Sequence, residues 1–464
     1  MNGRIKTTPH CINNFNRYLH WQLLPVVLSC SKRFTLTIPE LYIIYQRFPS
    51  VQTDTRKLKE GDIFFALKGD NFNGNVFALQ ALELGAAYAV IDEDVDTTDG
   101  RLIKVDNVLE TLQQLAKFHR EQFNIPFIAI TGSNGKTTTK ELIHAVLSSY
   151  YKTYTTEGNL NNHIGVPLTI LKIKPDAQMA VIEMGANHQK EIESYCKIAQ
   201  PTHGIISNVG KAHLEGFGGI EGVKKGKGEL YDFIRAHDGV VFAFDDYDYL
   251  HEMSRYIEKV FWYGTKSGLV CGYVQASEPF LEVAFSKGTS FKTIQTNLVG
   301  GYNLPNILCA VTLGKYFNVP EEKIQSAIES YAPSNSRSQL MEIGSNKIIL
   351  DAYNANPSSM KAAIENFKNI HADNKILILG GMMELGEESV HEHELLVQLI
   401  KQNHFENVIL VGGNFKTTHQ PFVYFNNADE ASVYIQQQHF HNACFLIKGS
   451  RSMQMEKVLT AFDR

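Results

Sequence analysis

A glycine-rich segment, residues 131–137, carries the side chains of this sequence that are best suited to binding a polyphosphate. It reads Thr-Gly-Ser-Asn-Gly-Lys-Thr, after an apolar run at 126–130 and before helix-forming residues at 141–147. In a strand–loop–helix arrangement, glycines let backbone N–H groups face the phosphates, and the helix start adds partial positive charge. Lys136 would then reach the β- and γ-phosphates, and the Thr137 hydroxyl would bind Mg²⁺.

The loop differs at one position from the usual spacing of a phosphate-binding loop. The first glycine of G-x-x-x-x-G-K-[ST] would fall on Ile130, so the loop is shortened. The alternative interpretation is a Gly/Ser/Asn turn that merely precedes a lysine. The strand predicted before it and the helix predicted after it favour the phosphate-binding interpretation.

Polar residues beyond the loop suggest a metal region. Glu183 ends an apolar run, where a carboxylate would hold Mg²⁺ directly or through water; a helix cap or surface carboxylate is the alternative. His213 follows a strand-end loop, which favours the metal region over a structural role. The segment 224–229 is either a solvated basic face or a phosphate-contacting patch, and composition alone does not single out Lys227.

Three later segments offer further ligand contacts. Asn303 and Asn306 precede an apolar helix and would either cap it or bind the edge of a base. Residues 351–358, Asp-Ala-Tyr-Asn-Ala-Asn-Pro-Ser, suit a turn and a helix cap, and would also offer amides and a carboxylate across a domain cleft. Residues 448–451, Lys-Gly-Ser-Arg, would capture a carboxylate or phosphate, unless they form an ordinary basic turn.

The elements that must position these residues form three blocks of alternating strands and helices. Block 35–123 predicts a small α/β unit, block 124–332 a parallel sheet covered on both faces, and block 333–464 a further open sheet. In the central block, strands are predicted at 127–131, 179–183, 204–207 and 239–244. Ligands of such sheets bind at the carboxyl ends of the strands, where the loop, Glu183 and Asn208 fall. The predicted class is α/β, with a central phosphate-loop domain between a small N-terminal domain and a Rossmann-like C-terminal domain.

Composition argues against several classes of function. The 464 residues are 44% hydrophobic and 20% charged, as in ordinary globular proteins. A net charge of −5 gives no reason to expect nucleic acid, and the absence of a long apolar run gives none to expect a membrane. The 6 cysteines form no CxxC pair, which favours reduced thiols in the cytoplasm over zinc or disulfides.

Residues 1–34 are predicted to be a loosely docked or unstructured extension. A short apolar run at 23–30 ends in Leu-Ser-Cys, which has some similarity to a lipoprotein signal. That run contains a proline and follows an Asn-rich polar stretch. An extension is therefore favoured over an export signal.

Taken in order, these segments resemble the Mur ligase family of peptidoglycan synthesis, from about Leu41 to the C-terminus. The matching runs in the first two blocks are 54–56, 61–69, 131–137, 159–167, 183–187 and 212–218. In the third block, the runs 353–357, 383–387 and 448–453 resemble the branch that adds D-alanyl-D-alanine. The phosphate loop alone indicates only an ATP-using superfamily, so the third-block motifs select the branch.

The resemblance implies an ATP-dependent amide ligase. ATP would phosphorylate the terminal carboxylate of UDP-N-acetylmuramoyl-tripeptide, and the amine of D-alanyl-D-alanine would attack the acyl phosphate and expel phosphate through a tetrahedral intermediate. Mg²⁺ and Lys136 would neutralise the two anions that must meet. The product is the UDP-N-acetylmuramoyl-pentapeptide precursor. A monomeric cytoplasmic enzyme with no nucleic-acid or membrane partner is expected.

The resemblance also implies roles for individual residues. Lys136, Glu183, His213 and Lys227 are the expected catalytic residues, with Lys227 carbamylated, and the expected metal ligands are Thr137, Glu183, His213 and the carbamate of Lys227. The expected ATP-binding residues are Thr131, Gly132, Ser133, Asn134, Gly135, Lys136, Thr137, Thr138, Asn303, Asn306, Arg337 and Asp351. Those for the UDP-substrate are Thr53, Asp54, Thr55, Arg56, Ala66, Lys68, Gly69, Asn161 and Asn162. Those on the D-alanyl-D-alanine side are Asn354, Asn356, Lys448, Ser450 and Arg451.

The sequence departs from the family pattern at three positions. Ala243 stands where Asn is frequent, Gly381 stands where Asp is common, and Leu350 replaces the first residue of an Asp-Asp pair, so that Asp351 is expected to act alone. Two alternatives remain open: a sister ligase of the folylpolyglutamate or diamino-acid-adding type, and a non-catalytic nucleotide-binding protein. The third residue of the tripeptide, lysine or diaminopimelate, is not determined by the sequence.

Overall fold

Three large β-sheets, of 4, 9 and 6 strands, follow one another along the described part of the chain. The computed structural model describes residues 36–333 and 337–462, so the predicted extension at 1–34 lies outside the described residues. Each sheet is flanked by helices, which confirms the predicted three-domain α/β class. The domain boundaries given above stay predictions.

The first sheet is short and parallel. Its elements are α1 (Ile38–Arg47), β1 (Val51–Gln52), β2 (Ile63–Phe65), β3 (Lys68–Gly69), β4 (Phe72–Asn73), α2 (Ala78–Glu83), β5 (Tyr88–Ile91), β6 (Leu102–Lys104) and α3 (Val108–Arg120). The sheet order is β1-β2-β5-β6, and β3 and β4 form a separate antiparallel pair. Because β1 and β2 are parallel neighbours, the segments that follow them lie at the same edge of the sheet.

The central sheet mixes a parallel core with an antiparallel edge. Its strands are β7 (Phe127–Thr131), β8 (Thr153–Thr155), β9 (Met179–Glu183), β10 (His203–Ile206), β11 (Val240–Phe244), β12 (Lys259–Gly264), β13 (Val270–Ala276), β14 (Glu282–Lys287) and β15 (Thr293–Gln295). Its helices are α4 (Lys136–Ser148), α5 (Gly165–Leu171), α6 (Glu191–Ala199), α7 (Leu214–Phe217), α8 (Ile220–Ala236), α9 (Asp248–Met253), α10 (Leu304–Tyr316) and α11 (Glu321–Ser330). The order is β15-β14-β13-β12-β11-β10-β7-β9-β8, and the pairs β13–β14 and β14–β15 are antiparallel.

The strand that carries the phosphate loop lies between two parallel neighbours. β7 pairs with β9 on one side and β10 on the other, so that Ile130 lies opposite Glu183 and Thr131 opposite Ile206. All residues of β7 and β9 are buried, and both strands have the predicted bounds. The parallel register therefore brings the loop, Glu183 and Asn208 to one edge of the sheet.

The antiparallel edge of the central sheet was not predicted. β13 buries its first three residues but exposes Tyr273 and its two successors, and β14 ends in exposed residues. Strands that are partly open to solvent lack the continuous apolar runs that identified β7 and β9. The prediction was therefore incomplete where the sheet is covered on one side only.

The third sheet continues the open α/β pattern. Its elements are β16 (Gln339–Ile343), β17 (Asn346–Asp351), α12 (Pro357–Lys368), β18 (Lys375–Gly380), α13 (Ser389–Gln402), β19 (Val408–Val411), β20 (Val423–Phe425), α14 (Ala428–Gln438) and β21 (Cys444–Lys448). The order is β16-β17-β21-β18-β19-β20, with β16 antiparallel to β17. The predicted cap of α12 is present, because the Asn356 side chain accepts a hydrogen bond from the Ser359 backbone N–H.

Two general expectations can be compared with the described residues. Within them, no helix combines the length and the apolar character needed to cross a bilayer. Cys196, Cys271, Cys309 and Cys444 are buried and form no disulfide. The other two cysteines, Cys11 and Cys30, lie outside the described residues.

The first and central domains are joined through Arg120, the buried last residue of α3. Its Nε donates to the Ala199 carbonyl at 2.8 Å, and one Nη donates to the Gln200 carbonyl at 2.9 Å. The guanidinium carbon lies 3.7 Å from the centre of the Phe127 ring. Burial lowers the pKa of Arg120 to about 10, so it remains charged at neutral pH and neutralises the carbonyl end of α6.

We predict that Arg120→Met lowers the free energy of unfolding by about 2–4 kcal/mol, because it leaves buried carbonyls without donors. Urea unfolding followed by circular dichroism measures this. Lys117→Met, an exposed change on the same helix, is the matched control and should cost less than about 0.5 kcal/mol. Equal losses in the two variants would contradict the role of Arg120.

The buried His203 makes stability depend on pH. Burial lowers its pKa from 6.5 to about 4. Between these pH values His203 is protonated in the unfolded chain but not in the folded chain. Its contribution to the free energy of unfolding is therefore complete above pH 6.5 and is lost as the pH falls towards 4. We predict that His203→Gln removes about 2 kcal/mol of the stability difference between pH 7.5 and pH 5.

Urea unfolding of the wild type and the variant at both pH values tests this prediction. His391→Gln, a change at an exposed position of α13, is the control and should leave the pH dependence unchanged. A His203→Gln variant with the full wild-type pH dependence would show that His203 is not responsible.

Candidate functional site

A cavity of about 660 Å³ lies where the carboxyl ends of the central strands face the C-terminal domain. The expected site residues that line it from the central domain are Ser133, Asn134, Gly135, Lys136, Thr137, Thr138, Asn161, Asn162, Glu183, His213, Asn303 and Asn306. Those from the C-terminal domain are Arg337, Asp351, Asn354, Asn356 and Lys448. The fold thus brings together residues from both ends of a long stretch of sequence.

The phosphate loop leaves β7 at a position that only glycine can occupy. Gly132 has φ of +144°, and a Cβ there would lie 2.1 Å from the Ser207 Oγ. Ile130, where the usual first glycine would stand, is a buried residue of β7. The loop is short because the strand continues through this position. Thr131, the last strand residue, points inward and donates to the Met184 carbonyl at 2.7 Å.

Lys136 begins α4 and folds back over its own loop. Its Nζ donates to the Gly132 carbonyl at 2.8 Å and to the Ser133 carbonyl at 3.3 Å. Burial lowers the pKa of Lys136, and the positive charge of Arg337 acts in the same direction while Glu183 opposes it. A polyphosphate in the cavity would relieve this desolvation by supplying negative charge.

Glu183 lies at the base of the cavity with one oxygen satisfied and one free. Oε1 accepts from the Thr137 hydroxyl at 3.1 Å and from the Asn161 amide at 2.7 Å. Oε2 is buried without a hydrogen-bond donor among the described residues, and its nearest cation is the Lys140 Nζ at 3.9 Å. A buried carboxylate oxygen beside a threonine hydroxyl is a suitable ligand set for a hard cation.

The donor set fits Mg²⁺ bound together with a nucleotide. Within residues 36–333 and 337–462, no three His, Cys, Asp or Glu side chains cluster closely enough to hold a metal by themselves. Mg²⁺ in proteins usually takes one or two carboxylates and completes its shell with substrate phosphates and water. Glu183 and Thr137 beside a phosphate loop satisfy that requirement.

Lys227 is fully buried on α8 behind the cavity wall. Its Nζ donates to the Ala186 carbonyl at 2.9 Å and lies 5.0 Å from the centre of the Phe217 ring. Burial holds the pKa of Lys227 well below its usual value, and the charge of Lys136 lowers it further. Lys227 does not line the cavity, whereas Ala186 does.

His213 connects the cavity to the C-terminal domain. Its Nδ1 lies 2.6 Å from the Glu384 Oε2, and Glu384 belongs to the segment between β18 and α13. The hydrogen bond from His213 helps to lower the pKa of the Glu384 carboxyl. The predicted metal-side histidine is therefore held by a residue of a different domain.

Asp351 and Lys448 form the wall contributed by the third sheet. They lie opposite each other at the ends of the parallel strands β17 and β21, and Lys448 Nζ is 2.6 Å from the Asp351 Oδ2. Lys448 also donates to the Asn354 carbonyl at 3.1 Å. Leu350 replaces the other carboxylate of the family's Asp-Asp pair, so Asp351 is the only acid of that pair here. Its partner is the buried Lys448.

Asn356 joins the two domains beside the phosphate loop. Its side-chain amide donates to the Asn134 Oδ1 at 2.7 Å. Ser450 is buried behind the cavity, where it donates to the Ala355 carbonyl at 3.2 Å. Arg451 is exposed, and its guanidinium lies 5.1 Å from the centre of the Tyr353 ring. Ser450 and Arg451 therefore do not line the cavity, in contrast to Asn356.

The two asparagines before α10 are buried and bonded to each other. Asn306 donates to the Asn303 Oδ1 at 2.9 Å and accepts from the Thr139 hydroxyl at 3.0 Å. Asn303 donates to the Val299 carbonyl and forms no side-chain cap of α10. The sequence left two interpretations open, a helix cap or contact with a base. The structure shows no side-chain cap of α10 by Asn303.

The expected UDP-substrate residues are divided between two places. Thr53, Asp54, Thr55, Arg56, Ala66, Lys68 and Gly69 follow β1 and β2 at one edge of the first sheet and do not line the cavity. There, Arg56 pairs with Asp54 at 2.8 Å, and Lys68 pairs with Asp92 at 2.9 Å. Asn161 and Asn162 lie on the cavity side instead.

Two of the departures from the family pattern have local explanations. A Cβ at Gly381 would lie 2.5 Å from the Gly413 Cα, so this close approach of two loops excludes a side chain. Ala243 is buried in the middle of β11 and points into the core.

Two side chains near the cavity have contacts that the sequence did not predict, although Asn208 was placed at the carboxyl ends of the strands. Asn208 clamps the loop: its Oδ1 accepts from the Asn134 backbone N–H at 2.9 Å, and its amide donates to the Asn134 carbonyl at 3.1 Å. Lys140 donates to the Thr156 carbonyl at 2.8 Å beside Glu183. Its spacing of four residues from Lys136 places both lysines on one face of α4, a signal that was present in the sequence.

Comparison with known proteins agrees with this architecture. Family models described as Mur ligase family catalytic domain, Mur ligase middle domain, and Mur ligase glutamate ligase domain match residues 47–120, 130–314 and 336–451. A UDP-N-acetylmuramoyl-tripeptide–D-alanyl-D-alanine ligase of Bacillus subtilis (strain 168) is 33% identical, covering 88% of this chain and 92% of its own. The ligase of the same name from Escherichia coli (strain K12) is 33% identical, covering 89% and 93%.

Solved structures give the same result. MurF from Acinetobacter baumannii is similar with a TM-score of 0.81 and 30% identity, covering 89% of this chain and 93% of that one. MurF ligase from Thermotoga maritima in complex with ADP has a TM-score of 0.80 and 25% identity, covering 89% and 97%. The chain studied here therefore belongs to the Mur ligase family.

Proposed function

We propose that this chain joins D-alanyl-D-alanine to UDP-N-acetylmuramoyl-tripeptide at the cost of ATP, forming the UDP-N-acetylmuramoyl-pentapeptide precursor of peptidoglycan. The observation that carries the proposal is the single cavity in which the phosphate loop faces Asn354, Asn356 and Lys448 from the branch-specific motifs. The relatives from B. subtilis and E. coli bear the name of this activity. The enzyme acts in the cytoplasm, where ATP and nucleotide-linked precursors occur, and one chain supplies both walls of the cavity.

In the first half-reaction, a carboxylate oxygen of the tripeptide attacks the γ-phosphorus of ATP, the bond to the bridging oxygen breaks, and ADP leaves. The loop residues Gly132 to Thr138 hold the triphosphate, and Lys136 stabilises charge on the transferring group. Thr137 and Glu183 would hold Mg²⁺, which would reduce the repulsion between the two anions. Asn303, Asn306, Arg337 and Asp351 contact the rest of the nucleotide.

In the second half-reaction, the free amine of D-alanyl-D-alanine attacks the acyl carbon, loses a proton, and displaces inorganic phosphate. Arg451 is suited to the dipeptide carboxylate because its guanidinium is exposed, whereas Lys448 is already paired with Asp351. The UDP end of the other substrate binds at the carboxyl edge of β1 and β2, and Asn161 and Asn162 guide its peptide towards the cavity.

The proposed carbamate at Lys227 follows from the burial of its amine. Burial lowers the pKa of Lys227 and so favours the neutral amine, which is the form that adds CO₂. The nitrogen lone pair forms the N–C bond, one proton leaves, and the neutral amine becomes an anionic carbamate. The carbamate would supply a further oxygen ligand on the His213 side of the site.

We predict that purified protein releases phosphate only when UDP-N-acetylmuramoyl-tripeptide and D-alanyl-D-alanine are both present. Mass spectrometry should detect the amide product, with lysine- and diaminopimelate-containing tripeptides tested in parallel. Lys136→Met should lower the rate by about 10²–10³ because the charge on the transferring phosphate is no longer stabilised. Product formed with a single amino acid would indicate a sister ligase. Phosphate release without either substrate would indicate a simple ATPase, and no phosphate release would indicate a non-catalytic protein.

Lys227→Ala tests the carbamate separately. We expect ligation to fall below detection, and to recover in part when a short carboxylate such as acetate is added. Lys225→Ala, an exposed change on the same helix, is the control and should retain wild-type rates. Full activity of Lys227→Ala without added carboxylate would exclude the carbamate role.

A further inference from the structure

The backbone conformations of both the central and the C-terminal domain bring His213 and Glu384 into contact. His213 has φ of +53° and Glu384 has φ of +63°, a left-handed conformation that residues other than glycine adopt only when their surroundings enforce it. The Glu215 backbone N–H donates to the Glu384 carbonyl at 3.4 Å. Gly386, with φ of +55°, approaches Glu215 so closely that a Cβ would lie 3.2 Å from it. The backbone of both domains therefore presents this pair.

The pair bears on which ring nitrogen of His213 carries a proton. The Glu384 Oε2 lies 2.6 Å from Nδ1, although Nδ1 makes no hydrogen bond of regular geometry within the described residues. A carboxylate only accepts hydrogen bonds, so this close contact favours a hydrogen on Nδ1. In the neutral Nδ1–H form, Nε2 keeps its lone pair. Since His213 lines the cavity, this is the nitrogen available to a cation or a proton donor there.

We propose that Glu384 is a positioning residue that holds His213 in its Nδ1–H form and orients it for the metal side of the site. This inference rests on the proposed function. Histidines that bind metals commonly donate their second ring N–H to a carboxylate, which sets both the tautomer and the ring orientation. Here the carboxylate comes from the C-terminal domain, so docking of that domain completes the metal side of the central domain.

An effect on overall stability does not explain the pair. The Glu384 side chain is 52% exposed, and exposed ion pairs contribute little to stability. A purely structural contact would also not require two neighbouring residues with left-handed backbones. Removal of the carboxylate should therefore change the histidine and the metal requirement while leaving the fold intact.

The experiment compares E384A, E384Q and the control E387A in the full chain. Glu387 is an exposed acid three residues further along the chain, so its removal changes the charge equally without touching His213. Nitrogen-15 NMR of histidine-labelled protein, without Mg²⁺ or nucleotide, reports the tautomer, and the His213 signal is the one lost in H213N. We expect Nδ1–H in the wild type, E384Q and E387A, and a shift to Nε2–H in E384A.

The second readout is the Mg²⁺ concentration that gives half-maximal ligation. We expect it to rise about 10-fold in E384A, with the KM for the UDP-substrate unchanged and E387A like the wild type. An unchanged tautomer in E384A, an unchanged Mg²⁺ requirement, or an equal shift in E387A would overturn the proposal. If the wild type formed no amide product, the proposed function would fail, while the tautomer measurement would still decide whether Glu384 orients His213.

Discussion

The removal of three lysine side chains from solvent at one end of the central sheet, Lys136 partly and Lys140 and Lys227 fully, is the constraint on which the rest of the site depends. Lys136, Lys140 and Lys227 each direct their Nζ at a backbone carbonyl, those of Gly132, Thr156 and Ala186. Carbonyls compensate only part of the cost of removing a charge from water. Glu183, 3.9 Å from the Lys140 Nζ, offsets part of this positive charge. A polyphosphate, a metal-bound anion or a carbamate would each add further negative charge.

The parallel pairing of β7 with its two neighbours explains why these charges meet. The strands end at the same level, so the loop after β7, Glu183 at the end of β9 and Asn208 after β10 share one edge. Asn208 fixes the loop through two hydrogen bonds to Asn134, and Asn134 in turn accepts one from Asn356. The conformation of the loop is thereby connected to the position of the C-terminal domain.

Several contacts join the central and C-terminal domains near the cavity. The Lys211 backbone N–H donates to the Ser358 Oγ at 3.0 Å, and the Lys211 Nζ lies 2.5 Å from the Glu392 Oε1. Together with the His213–Glu384 pair, these contacts place polar groups of both domains on opposite sides of one space. A reaction that joins two substrates requires such an arrangement, because each domain can hold one of the reacting partners close to the other.

The sequence by itself determined the class of fold, the phosphate loop and the strands that carry it. β7 and β9 were predicted with their observed bounds, since both faces of these strands are covered and their residues are all apolar up to the polar end. The glycine at 132 and the lysine at 136 follow local rules of turn and helix geometry, which act over a few residues. The tertiary structure alone decided which distant groups meet: Asp351 with Lys448, Asn134 with Asn356, and His213 with Glu384. It also decided that Lys227 is buried and that the central sheet ends in an antiparallel edge. Burial and long-range pairing depend on how strands are ordered and domains packed, and no spacing along a single chain specifies them.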